Sequence, residues 1–355
     1  MSKQSFLRSK IPTTVITGFL GSGKTTMIRH MLENANGKKI ALIINEFGDL
    51  GVDGGLLKGC GLENCHDDDV IELNNGCICC TVAEDFIPTM TKLLERDDRP
   101  DHIVIETSGL ALPQPLVAAF NWPEIKTQVT VDGVITVIDA PAVAEGRFAD
   151  NLEKIDEQRK HENVLNHESP LEELFEDQIH AADLIVLNKV DLIDEKTLEN
   201  VRDIVSSHSD RVAKMVSSSF GSLGTDLLLG LGVGTEDDID NRKSHHELHH
   251  AEGVPHNHDE FNSFVVHAPT IKDPKLFAEK LQKIIADHDI LRLKGFVNVA
   301  DKPMRLVIQA VGQRIDFYYD RPWLPSERHE SHLVVIALHD VDQAVVDQAI
   351  KAINV

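Results

Sequence analysis

The stretch TTVITGFLGSGKTT, residues 13–26, limits what this chain can fold into more than any other. A β-branched run enters GFLGSGKT at residues 18–25, which matches G-x-x-x-x-G-K-[ST] and opens directly into a helical pattern. Over 25–35 that pattern puts Met27, Ile28, Met31 and Leu32 on one face, and Gly37 follows as a stop. Strand, glycine-rich turn and helix are the context in which backbone amides and a helix dipole cradle a β-phosphate. Lys24 is then expected to act catalytically on the β- and γ-phosphates, and the Thr25 hydroxyl to ligate Mg²⁺. The other nucleotide contacts expected in this loop are Gly18, Phe19, Leu20, Gly21, Ser22, Gly23 and Thr26.

Further short apolar runs recur along the chain: KIALIIN, DVIEL, HIVIET, GVITVID and LIVLNK. Continuous apolar strands alternating with helices predict a parallel sheet covered on both faces, a three-layer α/β arrangement. Residues 150–182 read as charged surface helices broken near Pro170. Residues 236–260 are polar and histidine-rich and read as a linker between a first domain at 11–235 and a second at 261–355. The second begins FNSFVVHA, continues through the amphipathic PKLFAEKLQKIIADH to a strand meander, and ends in a helix starting near Asp342. That order predicts a smaller α+β domain, and no internal repeat is visible.

The identity of the base is set elsewhere, in LIVLNKVD, where Asn188, Lys189 and Asp191 form the N-K-x-D pattern at the end of a predicted strand. An ionised carboxylate only accepts hydrogen bonds, so Asp191 suits the paired N–H donors of guanine, whereas adenine presents an acceptor at N1. GTP is therefore expected over ATP. A second carboxylate is needed near Mg²⁺; Glu106 in IVIETSGL is the one expected to supply it and to act catalytically, Asp139 in VITVIDA is the other candidate, and either could simply cap a turn. Gly109, three residues past Glu106, could offer its N–H to a γ-phosphate. Gly18, Asn45, Glu106, Asp139 and Asn188 all fall at or just past predicted strand ends, the edge at which open α/β sheets bind ligands.

With 58 acidic against 35 basic side chains and a formal charge of -23, generic binding to nucleic acid or anionic lipid is not expected. MSKQSFLRSKIP lacks the apolar core of a signal peptide, and no run long enough to span a membrane follows, so a cytoplasmic protein is expected. In a reducing compartment, Cys77, Cys79 and Cys80 in NNGCICCT point to metal or redox chemistry, with buried structural thiols as the plain alternative. Thiolates suit Zn²⁺ and Co²⁺, and three of them leave a tetrahedral shell incomplete. The following TVAEDFIPTM begins a helix with Val82, Phe86 and Met90 at helical spacing, bent or delayed by Pro88. Cys60, Cys65 and His66 could form an accessory site. His245, His246, His249, His250, His256 and His258 could form a metal-collecting arm or a plain solvated linker.

Together TVITGFLGSGKTT, LIINEFGDLGVD, ELNNGCICCTV, IETSGLALPQPL and LIVLNKVDL resemble the CobW family of P-loop GTPases, relatives of the nickel-insertion GTPases of hydrogenase and urease maturation. The extra LLKGCG at 56–61 is most like the branch tied to the late-cobalt-insertion route to cobalamin. The resemblance implies a P-loop NTPase fold and a GTP-hydrolysing metallochaperone. Such a protein binds a divalent transition metal and GTP together and delivers the metal on hydrolysis. By position, Glu106 and Gly109 fall in the E-x-x-G motif, Asn45 and Glu46 in the first switch, with Glu46 approaching metal, and Cys77, Cys79 and Cys80 in the metal motif. The metal implied is Co²⁺, with Zn²⁺ the alternative of the same class and a nucleotide-gated metal store or sensor the alternative of another. A small-molecule kinase is disfavoured by the guanine reader. The implied partners are GTP, the metal and a client protein, with the cobaltochelatase one candidate, and a homodimer is compatible. No glutamine or arginine stands out as the group that orients water.

Overall fold

The computed structural model describes residues 10–35, 37–44, 70–72, 86–149, 155, 171–208, 213–229, 261–323 and 328–354. The chain divides into two compact units, one of residues 11–223 and one of residues 1–10 with 224–355.

The first unit is built on seven parallel strands: β1 (Ile11–Thr17), β2 (Ile40–Ile44), β3 (Val70–Glu72), β4 (His102–Glu106), β5 (Val129–Asp139), β6 (Leu184–Asn188) and β7 (Lys214–Ser217). Their order across the sheet is β3-β2-β4-β1-β5-β6-β7, so β2 to β4 lie on one side of β1 and β5 to β7 on the other. The chain crosses β1 between β4 and β5, and in such sheets the crevice for ligands opens past the carboxyl end of the strand at the reversal. β2, β4, β5 and β6 are buried along their whole length, the pattern of strands covered on both faces.

Seven helices accompany the sheet among the described residues: α1 (Lys24–Glu33), α2 (Ile87–Leu94), α3 (Pro113–Ala119), α4 (Ala140–Ala144), α5 (Leu171–Ala181), a 3₁₀ turn (Val190–Leu192) and α6 (Glu195–Ser207). Two apolar clusters hold them down. Phe86, Met90, Leu93, Leu116 and Phe120 pack with Val15, Ile43, Ile103 and Ile105, while Phe19, Phe175, Ile179, Val201 and Val205 pack with Ile138, Ile185 and Leu187. α1 begins one residue before the expected position and buries Met27, Ile28, Met31 and Leu32, the face its spacing predicted. Pro88 lies in the first turn of α2, where its missing N–H costs no helical hydrogen bond, so it starts the regular helix instead of bending it. β7 has no counterpart in the sequence reading, because its four residues, KMVS, carry too little apolar pattern.

The second unit holds a five-stranded antiparallel sheet, ordered β11-β10-β9-β12-β8, from β8 (Phe261–Ala268), β9 (Ile290–Val297), β10 (Met304–Val311), β11 (Arg314–Pro322) and β12 (Ser331–Leu338). With it go α7 (Thr225–Leu229), α8 (Pro274–Asp287) and α9 (Gln343–Lys351), the last capped by the Asp342 carboxylate, which accepts from Ala344 N. Phe277, Leu281, Ile285, Val346 and Ile350 close the core against Leu293, Ile308, Leu333 and Val335. Among the described residues no helix is long and apolar enough to cross a membrane.

Candidate nucleotide site

β1 ends at Thr17 and α1 begins at Lys24, so the glycine-rich turn occupies the crevice beside β1. The Lys24 ammonium is buried and folds back across its own loop, donating to the carbonyls of Gly18 at 2.8 Å and Phe19 at 3.3 Å. That brace holds the cation against the loop's own carbonyls. Gly23 caps α1 at φ 101°, and a Cβ there would stand 2.3 Å from Asn188 Nδ2, so both backbone and space require glycine. The Phe19 side chain is committed to the core, with ring centroids 6.2 Å from Phe148 and 6.3 Å from Phe175. Ser22 is buried, while Leu20, Gly21 and Thr26 are exposed.

Glu106 closes β4, next to β1 in the sheet, where it is in register with Ile16. Thr25 Oγ1 donates to Glu106 Oε1 at 3.0 Å. A hydroxyl and a carboxylate side by side at the mouth of a phosphate loop are hard oxygen donors of the kind Mg²⁺ takes, so these residues fit that ion. Asp139 is engaged differently: Oδ1 caps α4 by accepting from Ala142 N at 3.1 Å, and Oδ2 pairs with Lys189 Nζ at 2.5 Å. Of the two candidate carboxylates, Glu106 is therefore the one beside Thr25.

Gly109 presses against the phosphate loop, since a Cβ on it would lie 2.7 Å from Leu20 N. Its carbonyl accepts from Gln178 Nε2 of α5 at 3.0 Å. Gln178 is fully buried, and the sequence reading passed over it because a single amide in a charged helix gives no motif.

Asn188 ends β6 and joins three segments. Its Nδ2 donates to Ser22 O at 2.8 Å, and its Oδ1 accepts from Gly221 N at 3.1 Å. Lys189 follows with φ 62°, a left-handed turn that brings its ammonium to Asp139, and Asp191 stands exposed in the 3₁₀ turn. Val190 N donates to Ser218 O at 3.2 Å, tying the N-K-x-D turn to the loop after β7. That loop presents Phe220, 75% exposed at φ 55°, and Leu192 on the 3₁₀ turn is 67% exposed. These two apolar side chains were missed from sequence, since nothing in SSSFGS or VDL marks them.

Asn45, Glu46, Cys60, Cys65, His66, Cys77, Cys79, Cys80 and the six histidines at 245–258 lie outside the described residues. Among the described residues, Glu172, Glu176 and His208 bring potential ligand atoms within 4.8 Å of one another. His208 Nδ1 lies 3.1 Å from Glu176 Oε1, a contact that ties the end of α6 to α5.

Comparison with known proteins agrees with this geometry. A family model described as "CobW/HypB/UreG, nucleotide-binding domain" matches residues 12–216, and one described as "Cobalamin synthesis protein cobW C-terminal domain" matches 261–354. A protein of Sinorhizobium sp named zinc chaperone CobW is 65% identical over 346 residues, covering 98% of this chain and 98% of the relative. A protein of the same name from Pseudomonas aeruginosa is 49% identical over 347 residues, covering 97% of this chain and 91% of the relative. With a glycine-rich loop, an N-K-x-D turn and both family domains in order, the chain belongs to the CobW/HypB/UreG family of P-loop GTPases.

Proposed function

We propose that this protein is a GTP-hydrolysing metallochaperone that holds a divalent transition metal at Cys77, Cys79 and Cys80 while GTP is bound and hands it to a client protein. The observation that carries the reading is one row of the sheet: Ile44 at the end of β2 pairs with Glu72 on one side and Glu106 on the other. The chain leading to Glu46 leaves from the first of these ends, and the chain leading to Cys77 leaves from the second, five residues earlier. Both start at the edge where Glu106 meets Thr25. On this proposal the metal shell is completed by contacts that depend on a γ-phosphate bound at that edge, and hydrolysis releases the metal.

In this reading Thr25 and Glu106 hold Mg²⁺, which when bound offsets charge on the β- and γ-phosphates. Lys24 presents its ammonium to the same oxygens, Gly109 presents its N–H to the γ-phosphate, and Asn188, Lys189 and Asp191 frame the guanine. The GTPase part is taken as residues 11–235, the histidine-rich linker as 236–260 and the C-terminal domain as 261–355, although residues from 224 on group with the second compact unit. The compartment is the cytoplasm, where thiols stay reduced. The relatives' names put Zn²⁺ at least level with the Co²⁺ expected from LLKGCG, and the affinity order of divalent metals favours Zn²⁺ at thiolate sites. With Co²⁺ as cargo the cobaltochelatase is the corresponding client. A homodimer is compatible with either metal.

Competitive titration with Zn²⁺ and Co²⁺, with Mg²⁺GTP, with GDP and without nucleotide, tests this on the wild type and on a Cys77→Ala, Cys79→Ala, Cys80→Ala variant. One tight site that needs GTP and disappears in the variant is expected. A variant that binds as tightly as wild type removes the proposal, and several weak sites indifferent to GTP indicate a metal store.

A further inference from the structure

Gln178 is a polar side chain in the C-terminal part of α5, fully buried on the face that also buries Leu174, Phe175 and Ile179. Its Nε2 donates to Gly109 O at 3.0 Å and reaches Ala111 O at 3.4 Å. Its own backbone carbonyl accepts from Thr136 Oγ1 on β5 at 2.8 Å. The residue is therefore fixed through its backbone to the central sheet, while its side-chain amide grips the two carbonyls on the far side of the E-x-x-G turn. Burying an amide in such a setting costs about 1–3 kcal/mol unless it is hydrogen-bonded, so a residue kept there has to be accounted for by what it holds.

What it holds is Gly109, whose α-carbon faces Leu20 N of the phosphate loop closely enough to exclude any Cβ. Fixing the Gly109 carbonyl fixes the torsion that follows its α-carbon. With Thr107 N donating to Ile16 O at 2.9 Å on the other side, the glycine is clamped from both ends of the turn. We infer that Gln178 is a positioning residue for the γ-phosphate response: by holding the carbonyl side of Gly109 it limits, through the α-carbon, the directions open to the Gly109 N–H that receives GTP, and it leaves GDP binding untouched. This rests on the proposed role of Gly109 as the group that meets the γ-phosphate. The physical reason is economy of reorganisation. A glycine turn without the clamp samples several orientations, and the triphosphate complex alone must then bear the cost of selecting one.

The test compares dissociation constants for GDP and for guanosine 5′-(β,γ-imido)triphosphate, both with Mg²⁺, in the wild type and in Gln178→Met, which keeps the side-chain length and removes the donor. Gln178→Asn, an amide one methylene too short to span both carbonyls, is the second variant. Because partial unfolding lowers both apparent affinities by the same factor, the ratio of the two constants is the readout. The ratio is expected to move about tenfold against the triphosphate, with GDP affinity unchanged. A packing role alone would weaken both nucleotides equally, and that result, or an unmoved ratio, overturns the inference. Hydrogen exchange of the wild-type segment 107–111 separates the two ideas. If its protection is the same with GDP and with the triphosphate, the role of Gly109 falls and takes the inference with it. If protection differs but the ratio stays put in both variants, only the inference on Gln178 falls.

Discussion

The hydroxyl of Thr25 donates to Oε1 of Glu106 at 3.0 Å, joining the first turn of α1 to the end of β4 across 81 residues of chain. In the proposed function Thr25 and Glu106 hold Mg²⁺ together and this contact also orients the Thr25 oxygen; groups that orient a metal ligand typically matter about 10–100-fold in metal affinity or activity. Glu106→Gln is therefore expected to raise the Mg²⁺ concentration needed for half-maximal GTP hydrolysis by about 10–100-fold. GDP binding in the presence of a chelator should be unchanged. A hydrolysis assay over a Mg²⁺ series checks this, and an unaltered half-saturation point would show that Glu106 only caps its turn.

Asn188 joins the phosphate loop to the loop after β7, through Ser22 O at 2.8 Å and Gly221 N at 3.1 Å. Truncation to alanine leaves a buried carbonyl and a buried N–H without their partner, at about 1–3 kcal/mol each. Asn188→Ala is expected to lower the melting temperature and weaken GDP and GTP alike, because it loosens the frame and not the γ-phosphate contacts. Thermal denaturation with and without GDP measures both effects. Selective loss of GTP would contradict the assignment.

How far these contacts could be read from sequence depends on whether they are local. The phosphate loop, the N-K-x-D turn and the strand ends are each set by a few consecutive residues, so their types and spacing carry the chemistry. Strand placement followed the same rule: HIVIE and LIVLN are unmistakable, while the KMVS strand is too short and polar to show. Between Glu106 and Asp139 the sequence supplied a preference and not a decision: Gly109 three residues on favoured Glu106, but both acids end buried strands in similar context. Only the fold decides it, by putting Lys189 on Asp139 and Thr25 on Glu106. Gln178 was illegible for the same reason, because its partner is 69 residues away.

Asp191 stands exposed in the turn after Lys189, free of the core that fixes Asn188. In the proposed function this acceptor-only carboxylate meets the N1 and N2 donors of guanine. Asp191→Asn supplies a donor instead, which suits the 2-oxo group of xanthine. The variant is expected to lose about 10–100-fold in GTP affinity and to gain affinity for xanthosine triphosphate. Competition between the two nucleotides gives the answer, and equal loss of both would mean that Asp191 does not face the base.

His30 of α1 is half-buried, with Nε2 3.3 Å from Ser222 Oγ, and burial lowers its pKa below the ordinary 6.5, an effect that Glu33 partly opposes. The folded state therefore resists a proton that the unfolded chain accepts. Stability is full above about pH 6.5 and declines as the pH falls through the lowered value. In His30→Gln this contribution is absent, so the loss of stability between neutral and mildly acid pH should be smaller than in wild type. Urea unfolding on either side of the transition would detect it, and parallel pH profiles would rule His30 out as a contributor.

In the C-terminal unit, Arg305 of β10 and Asp320 of β11 form a buried bidentate pair, with Nε 3.2 Å from both carboxylate oxygens and one Nη 2.6 Å from Oδ2. The guanidinium also lies 3.4 Å from the centroid of the Phe296 ring, and both charged groups are buried away from water. Removing one partner strands the other charge, at about 3–5 kcal/mol, whereas replacing both by apolar residues of similar volume is often neutral. Arg305→Ala should therefore destabilise the protein strongly, and the double variant Arg305→Met, Asp320→Leu should recover most of the loss. Nucleotide affinity should stay at the wild-type value in both, since neither residue belongs to the GTPase unit. Denaturant unfolding followed in parallel with GDP binding distinguishes the cases. A double variant as unstable as the single one would show that the pair is required for its own geometry as well as for neutralising its charges.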